Sequence, residues 1–503
     1  MALPPLLPWP RSFVTSPDRC YILDTGAFDA DPESHALAVQ TELVFGTKHG
    51  AGGVPLKLRL DPSLDGGPEA YRLLVRPDEI VLTGATPAGV FYALQTLRQL
   101  VSGTGPIECV DIVDAPRFGW RGALVDVGRH FMPIPDLRRF IDAMARYKLN
   151  VLHLHLTEDQ GWRIEIKKYP RLTEVGSIRK ETMAGHYEEQ RFDGKPHGGF
   201  YTQDELRDLV AYAAERFVTI VPEIELPGHS QAAIAAYPEL GCTGEQLEVR
   251  TAWGVSENIY NPSAATLRFL EDVLDEVLDI FPSTFIHIGG DEAPKVQWKA
   301  SPVAQARMKE FGLKDEDELQ SWFIGHFGTY LAARGRRLIG WDEILEGGLP
   351  ADATVMSWRG EEGGIAAAKA GHDVVMAPHP YVYFDQYQSR DKAAEPVGIG
   401  GYTNLRKVYD YEPVPSELTE KEAKHVLGAQ GELWTEYIPT PSQLEYMAFP
   451  RLLALAEVLW TPADRKDFES FWKRVNADLP RLAAQGVNYR KLDEEQREPP
   501  RAE

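Results

Sequence analysis

Residues 285–294, FIHIGGDEAP, begin as an apolar run, pass through two glycines and end with Asp291 and Glu292 side by side. A short apolar run that stops at glycine is typical of a buried strand entering a loop. In barrels built from parallel strands, functional side chains lie in the loops that follow the carboxyl ends of the strands. The stretch therefore predicts a strand that presents two adjacent carboxylates to a site.

Seven further runs of this kind flank the stretch and alternate with amphipathic helical patterns. Near-continuous apolar strands that alternate with helices predict a parallel sheet, and eight of them predict an α/β fold of the (β/α)8 TIM barrel type. An open doubly wound sheet is the alternative, because only residues 345–350 separate the fifth and sixth strands, too few for a helix. The eight predicted strands are 122–128, 150–157, 218–225, 284–292, 336–344, 353–360, 373–379 and 425–434.

The beginning of the chain has a different pattern, with short strand-like runs followed by one helix at residues 86–101. This order predicts a small α+β domain at residues 1–115, before the barrel. Residues 116–475 would then form the catalytic barrel, and residues 476–503 the end of the last helix and a charged tail. The strand-like runs of the small domain are 36–46, 55–60, 70–78 and 79–84.

The composition of the 503-residue chain is that of a globular protein, with 43% apolar and 25% charged residues. The net charge of −22 disfavours nucleic acid as a partner, because phosphate contacts need a basic surface. The 3 cysteines form no metal or redox motif, and no apolar run reaches the length of a membrane span. The chain begins with a poor signal peptide, so we expect a periplasmic or secreted bacterial protein whose leader has been removed, with the cytoplasm as the alternative.

Acidic and tryptophan side chains follow almost every predicted barrel strand. Three of the 11 tryptophans end the fifth, sixth and eighth strands. Aromatic planes suit the apolar faces of sugar rings, while carboxylates and arginine suit their hydroxyl groups. The pattern therefore predicts a sugar site. The residues at the strand ends are Asp126, Arg129, Glu158, Asp159, Glu223, Glu225, His229, Asp291, Glu292, Trp341, Asp342, Glu343, Trp358, Arg359, Tyr383, Asp385, Trp434 and Glu436.

Several motifs resemble those of the family 20 glycoside hydrolases, the β-N-acetylhexosaminidases, in the order and at the spacing of that family. The resemblance covers about residues 20–470, including the small domain that usually precedes the barrel. It implies a retaining, exo-acting hydrolase of terminal N-acetylglucosamine or N-acetylgalactosamine, with no cofactor and no metal. The motifs are HLHLTEDQGWRIEI, VPEIELPGHS, HIGGDEAP, DVGRHF, GWDEI, MSWRG and GELWTE.

The resemblance assigns the chemistry to the adjacent acids. Glu292 would be the general acid that protonates the glycosidic oxygen, and burial together with Asp291 would raise its pKa. The nucleophile would be the substrate's own acetamido oxygen, which closes an oxazolinium ring on C1. Asp291 would hold the acetamido N–H and stabilise the positive charge. Adjacent acids suit this route, whereas a two-carboxylate mechanism needs one acid on each side of the anomeric carbon.

The resemblance also implies the contacts that bind the sugar. Arg129 would bind the 3- and 4-hydroxyls, with Glu436 near O4 and Asp385 near O4 and O6. These contacts would close the pocket at the non-reducing edge, so that only terminal residues are removed. Tyr383 would donate a hydrogen bond to the acetamido oxygen. The walls around the ring and the acetamido methyl would be Trp341, Trp358 and Trp434.

Two polar residues would support the general acid in this family. They correspond to Asp159 and His229, and His229 can bridge two carboxylates when it is protonated. Glu158 is the alternative to Asp159, because it directly precedes it. Glu225 occupies a position where the resemblance implies either aspartate or glutamate.

Two other functions remain open from the residues alone. The first is a metal-dependent hydrolase, because two histidines alternate on the second strand as they do in barrel amidohydrolases. The position of this pair inside the strand, and the tryptophans that a metal site leaves unused, favour the sugar site.

The second is a sugar-binding protein without turnover, although the acid Glu292 is present. The natural substrate and the oligomeric state are not determined by the sequence. The ligands of the alternative metal site would be His153, His155, His229, His287 and Asp291.

Overall fold

The structure, a computed structural model, describes residues 4–20, 25–34, 37, 54–101 and 106–499. Its first unit is a mixed six-stranded sheet in the order β1–β6–β4–β5–β3–β2. The predicted runs 55–60, 70–78 and 79–84 are strands of this sheet, whereas the predicted run 36–46 lies outside the described residues. The strands are β1 (Ser12–Cys20), β2 (Thr25–Ala30), β3 (Val54–Leu60), β4 (Tyr71–Val75), β5 (Ile80–Gly84) and β6 (Ile107–Asp114).

Helix α1 (Pro87–Leu100) packs on this sheet and confirms the predicted helix. Thr86 caps its first turn by accepting a hydrogen bond from the N–H of Ala88, and a proline occupies the first helical turn. A Cβ atom on Gly89 would lie 2.3 Å from the carbonyl oxygen of Ala70, so only glycine allows the helix to approach the sheet this closely. The small unit therefore has the predicted α+β character.

Eight parallel strands close into a barrel in which each strand pairs with its neighbours in the chain. The last strand pairs with the first over Gly428 to Leu433, so the sheet is closed and the open alternative is excluded. All eight predicted strands are present, and their carboxyl ends meet at one mouth. They are β7 (Trp120–Asp126), β8 (Val151–His155), β9 (Thr219–Glu223), β10 (Phe285–His287), β11 (Arg337–Trp341), β12 (Thr354–Ser357), β13 (Val374–Met376) and β14 (Val426–Leu433).

Helices surround the barrel and bury their apolar faces against it. The capping box that the sequence predicts at Thr202 and Glu205 is present at the start of helix Gln203–Ala214. As expected from its length, the link between β11 and β12 holds only a 3-10 turn, Asp342–Leu345. The longer helices are α2 (Ile134–Arg146), α3 (Gln203–Ala214), α4 (Ala264–Ile280), α5 (Pro302–Phe311), α6 (Glu316–Ala332), α7 (Glu362–Ala370), α8 (Pro441–Ala448), α9 (Arg451–Trp460) and α10 (Phe468–Ala484).

The barrel interior is apolar toward its amino end and polar below its mouth. Leu124, Val221, Ile339, Met356 and Val375 belong to one buried cluster contributed by different strands. Side chains of this kind fill the barrel as layers, so its centre is packed rather than open. The polar side chains just below the mouth are His153, His155, Glu223, His287, Gln430 and Glu432, all fully buried.

The small sheet and the barrel are joined through the segment after β6. The N–H groups of Arg117 and Phe118 donate to the carbonyl oxygens of Trp460 and Leu459, at 3.0 and 3.1 Å.

Near the other end of the chain, Gln496 is buried and its Nε2 donates to the carbonyl oxygen of Gln388 at 2.6 Å. Within the described residues, no helix has the length and apolarity needed to cross a membrane. The predicted domain boundaries stay predictions.

Candidate active site

A cavity of about 310 Å³ opens at the carboxyl ends of the barrel strands. Every residue that the sequence predicted as catalytic or sugar-binding lines it, although these residues come from six different loops. The sequence did not single out four of the lining residues, all in the connection between β13 and β14. His379 closes the seventh predicted strand, whereas Ile399, Gly400 and Gly401 lie more than 20 residues beyond β13. The cavity is lined by Arg129, His229, Asp291, Glu292, Trp341, Trp358, His379, Tyr383, Asp385, Ile399, Gly400, Gly401, Trp434 and Glu436.

Aromatic side chains form the walls of this cavity. The rings of Trp341 and Trp434 have centroids 5.6 Å apart, and Trp358 stacks toward Tyr383 at 6.2 Å. Burial, followed by the charge of Glu432, raises the pKa of Tyr383 well above its ordinary value. The Tyr383 hydroxyl therefore keeps its proton and can donate a hydrogen bond into the cavity.

The tryptophans at the ends of β11 and β12 are each held by a carboxyl group. The indole N–H of Trp341 donates to Glu223 at 2.8 Å, and that of Trp358 donates to Glu343 at 2.9 Å. Burial, and then the charge of Asp291, raise the pKa of Glu343 to about 8. The aromatic walls are thus held by hydrogen bonds as well as by packing.

The loop after β10 brings the adjacent acids to the edge of the cavity. Gly289 and Gly290 have φ angles of +66° and +95°, and a Cβ on Gly289 would lie 1.6 Å from a carboxylate oxygen of Glu225. Glycine is therefore required where this loop turns. Glu292 itself has a φ of +42°, a conformation that residues with a side chain rarely adopt. The strained turn directs both carboxylates toward His229.

His229 lies between the adjacent acids and the barrel wall. Its Nε2 is 3.4 Å from Asp291 Oδ2 and 3.5 Å from Glu292 Oε2. Its Nδ1 contacts Glu158 Oε1 at 2.8 Å, and Glu158 Oε2 contacts Arg129 Nη2 at 3.0 Å. Burial opposes the imidazolium, but Glu158 and Asp291 raise the pKa of His229 well above its ordinary value. His229 is therefore a cation shared among three carboxylates.

The carboxylate that contacts His229 differs from the one that the sequence favoured. The sequence favoured Asp159 over Glu158, but Asp159 Oδ2 lies 3.9 Å from His229 Nδ1, and its Oδ1 accepts the N–H of Gln231 instead. The carboxylate in contact is Glu158, because the chain turns back after β8 through a short ladder that joins Thr157–Glu158 to Gly161–Trp162. Asp159 is buried behind it, and burial raises the pKa of Asp159 to about 6.

The sequence predicted a raised pKa for Glu292, but in the free protein the pKa of Glu292 is lowered. Its side chain is 36% exposed, and the hydrogen bond and charge of His229 outweigh burial and lower its pKa. Arg129 also lowers the pKa of Glu292, and the charge of Glu158 opposes this lowering. The effect expected for Glu292 is found at Glu225 instead. Burial, and then the charge of Asp291, raise the pKa of Glu225 well above its ordinary value.

Arg129 and two further carboxyl groups, Asp385 and Glu436, form another part of the cavity lining. Arg129 is nearly buried, its Nη2 lies 4.0 Å from Glu436 Oε1, and its Nε has no hydrogen-bond partner among the described residues. Burial, and then Glu436, raise the pKa of Asp385 well above its ordinary value, and burial also raises the pKa of Glu436. A protonated carboxyl group can donate as well as accept a hydrogen bond, which suits sugar hydroxyls.

The alternative metal site is not assembled from the five residues that would form it. Within the described part of the chain, His153 and His155 fall in different groups that could hold a metal, and neither group contains His229 or Asp291. His153 Nδ1 contacts Gln430 at 2.9 Å, and His155 contacts Glu223 and Glu158. This pair lies inside the barrel, where the sequence placed it. The predicted lack of a metal stays a prediction.

A larger cavity, of about 860 Å³, opens at the other end of the barrel. Its described lining comes from the amino ends of the strands and from the small domain, and it includes Trp120, Phe285 and Arg337. None of the predicted site residues is among them. The smaller cavity is the candidate site, because it lies at the carboxyl ends of the strands and is lined by four carboxyl groups, whereas the described lining of the larger cavity includes one, Glu69.

Comparison with known families agrees with this geometry. The model of the catalytic domain of glycosyl hydrolase family 20 matches residues 118–463, and that of domain 2 of the family matches residues 26–115. The chain belongs to glycosyl hydrolase family 20. The family's two units thus coincide with the barrel and the small sheet.

Relatives within family 20 match over most of the chain. A β-hexosaminidase of Porphyromonas gingivalis is 48% identical over 449 residues, which are 87% of this chain and 56% of that protein. The chain thus spans about half the length of that relative. A β-hexosaminidase of Akkermansia muciniphila is 38% identical over 84% of this chain and 85% of its own.

Solved structures of the family are also similar. A Vibrio harveyi exo-β-N-acetylglucosaminidase in complex with N-acetylglucosamine has a TM-score of 0.87 at 35% identity, covering 98% of this chain and 79% of that chain. A second β-N-acetylhexosaminidase structure has a TM-score of 0.83 at 33% identity, covering 96% of each chain.

Proposed function

We propose that the protein is an exo-acting β-N-acetylhexosaminidase that removes terminal N-acetylglucosamine or N-acetylgalactosamine with retention of configuration. The observation that carries this proposal is the position of the two acids. Asp291 and Glu292 both lie within 3.5 Å of the same nitrogen of His229, on one edge of an aromatic pocket. Acids on one edge cannot flank the anomeric carbon, so the nucleophile must come from the substrate.

Glu292 is the general acid of this proposal. In the free protein it is ionised, because His229 lowers its pKa. A sugar in the pocket would cover the exposed part of its side chain, and loss of water raises the pKa of a carboxyl group. The protonated Glu292 then donates its proton to the glycosidic oxygen as the bond to C1 breaks.

Asp291 and Tyr383 act on the acetamido group. Tyr383 donates its O–H to the acetamido carbonyl, and Asp291 accepts the acetamido N–H, which turns the carbonyl oxygen toward C1. Attack by that oxygen forms an oxazolinium ring, whose positive charge the carboxylate of Asp291 stabilises. Water then opens the ring with Glu292, now ionised, as the base, which restores the original anomeric configuration.

Arg129, Asp385 and Glu436 hold the non-reducing edge of the sugar. Asp291 Oδ1, Asp385 Oδ1 and Glu436 Oε2 are buried oxygens without hydrogen-bond partners among the described residues. Buried polar atoms are costly when they remain unpaired, and sugar hydroxyls and the acetamido N–H would pair with them. This end of the cavity supports removal of terminal residues.

Hydrolysis of an aryl N-acetyl-β-glucosaminide tests the proposal, with the aryl β-glucoside as the control that lacks the acetamido group. We expect turnover of the first only, release of the β-anomer in the first seconds by NMR, and tight inhibition by a thiazoline analogue of the closed ring. Replacement of Asp291 by Asn should lower kcat by roughly 100-fold or more, because the charge that stabilises the ring is lost. Equal cleavage of the plain glucoside would refute the substrate-assisted route.

A further inference from the structure

The end of strand β7 is tied to the end of strand β14 by the carboxylate of Asp126, which is fully buried. Asp126 Oδ1 accepts the N–H groups of Gly128 and Arg129 at 2.9 and 3.1 Å. Its Oδ2 accepts the N–H of Thr435 at 3.0 Å and lies 3.4 Å from Arg129 Nη1. The hydroxyl of Thr435 donates in turn to the carbonyl oxygen of Asp126 at 3.0 Å. One carboxylate thus holds both strand ends.

The two strand ends held by Asp126 carry the contacts proposed for the sugar hydroxyls. Arg129 lies on the first, and Trp434 and Glu436 lie on either side of Thr435 on the second. The guanidinium of Arg129 is also 5.1 Å from the ring centroid of Trp434. A displacement of one strand end relative to the other would therefore change the geometry of Arg129, Trp434 and Glu436 together. Small displacements of binding groups are costly in catalysis.

The position of the Arg129 guanidinium is set by several carboxylates, and Asp126 is one of them. Three carboxylates compete for it: Asp126, Glu158 at 3.0 Å and Glu436 at 4.0 Å. Asp126 is the one that also fixes the Arg129 backbone. Without it, the attraction of Glu158 would draw the guanidinium toward His229 and away from the hydroxyl end of the cavity.

We propose that Asp126 is a positioning residue that sets recognition of the sugar 3- and 4-hydroxyls without touching the sugar. The inference rests on the proposed function of the site. We assign this role to Asp126 and not to Asp342, a second buried aspartate that accepts hydrogen bonds from residues next to the cavity. Asp342 Oδ2 accepts the N–H of Trp358 at 3.1 Å, and its Oδ1 accepts Arg359 Nε at 2.6 Å. Asp342 therefore supports the wall at the acetamido end.

The test is the Asp126→Asn variant assayed on aryl N-acetyl-β-glucosaminide and on its 3-deoxy and 4-deoxy analogues. Asparagine keeps the size of the side chain and one acceptor oxygen, but its NH₂ group would face the N–H of Thr435 and the guanidinium of Arg129. We expect kcat/KM for the full substrate to fall by about 10- to 100-fold, mainly through KM, because an oriented hydrogen bond to a charged group is lost. At least one deoxy analogue, which cannot make that bond, should lose much less.

The Asp342→Asn variant is the matched control, because it makes the same change at the acetamido end. Its loss should be the same for the full substrate and the deoxy analogues. Equal losses on all three substrates for Asp126→Asn would overturn the inference and leave Asp126 with a structural role only. Failure of the unaltered protein to cleave any of them would instead refute the proposed function.

A second variant keeps the inference testable if Asp126→Asn does not fold. Thr435→Val preserves side-chain volume but removes the hydroxyl that bonds the Asp126 carbonyl and that accepts the N–H of His130 at 3.0 Å. It should show the same dependence on the sugar hydroxyls with a smaller loss, roughly 3- to 10-fold. A loss that does not depend on the hydroxyls would again contradict the inference.

Discussion

The mouth of the barrel and the interface between the small sheet and the barrel both bury charged side chains, yet the two regions differ in how completely these are paired. At the interface, Asp114 Oδ2 accepts the hydroxyl of Tyr71 at 2.6 Å and the indole N–H of Trp460 at 2.9 Å. Lys148 donates to the same oxygen at 3.3 Å and to the Tyr71 hydroxyl at 2.9 Å. We call Tyr71, Asp114, Lys148 and Trp460 the interface cluster.

At the mouth, several buried polar atoms have no partner among the described residues. They include Arg129 Nε, Asp291 Oδ1, Asp385 Oδ1 and Glu436 Oε2, whereas no side-chain atom of the interface cluster is among them. A buried polar group left unpaired costs free energy, so a protein retains such groups where a ligand completes the pairing. The comparison teaches that the closed charge network serves stability here, whereas the unpaired atoms that line the cavity are available to a ligand.

The largest effect, on kcat, should come from replacing Glu292 at the mouth of the barrel. Glu292→Gln removes the proton donor, so kcat for substrates with poor leaving groups should fall by roughly 100- to 10,000-fold. Aryl substrates with good leaving groups should lose far less, because they need little protonation. Stopped assays with the two substrate types measure this difference. A uniform loss, or none, would show that Glu292 is not the acid.

A substitution in the interface cluster should lower the free energy of unfolding and leave KM and kcat unchanged. Lys148→Met leaves Asp114 buried without its cation, which should lower the free energy of unfolding by about 3–5 kcal/mol. The KM and kcat of the folded fraction should stay unchanged. Urea unfolding followed by tryptophan fluorescence gives the first quantity. Lys314→Met, which breaks the exposed pair with Glu318, is the control and should leave the unfolding curve unchanged. A change in KM for Lys148→Met would contradict the separation of the two regions.

A smaller effect, on pH dependence, should distinguish the free site from the occupied one. The general acid must be protonated, so activity falls as pH rises through the pKa of Glu292. That pKa is lowered in the free protein by His229, and loss of water on binding raises it. The alkaline limb of kcat should therefore lie at higher pH than the limb of kcat/KM, by roughly one unit. Coincident limbs would mean that substrate does not change the ionisation of Glu292.

Much of the site could be predicted because barrel topology converts local patterns into position. Apolar runs identify the strands, and the closed parallel sheet brings all their carboxyl ends to one mouth. The side chains that directly follow strands, such as Arg129, Trp358 and Glu436, were therefore found from the sequence. Ile399 was missed, because it reaches the cavity from far along the connection between β13 and β14, whose path no local pattern specifies. His379 directly follows a strand but was not singled out, because no acidic residue or tryptophan accompanies it there.

The sequence by itself determined the number of strands, the residues at their ends and the adjacency of Asp291 and Glu292, because these follow from hydrophobic periodicity along the chain. Only the tertiary structure decided which acid meets His229, since the turn after β8 depends on a ladder formed with later residues. It also decided the charge on Glu292, because a pKa reflects the field of groups from several loops. The role of Asp126 is likewise a property of the fold, since its partner Thr435 is 309 residues away in the chain.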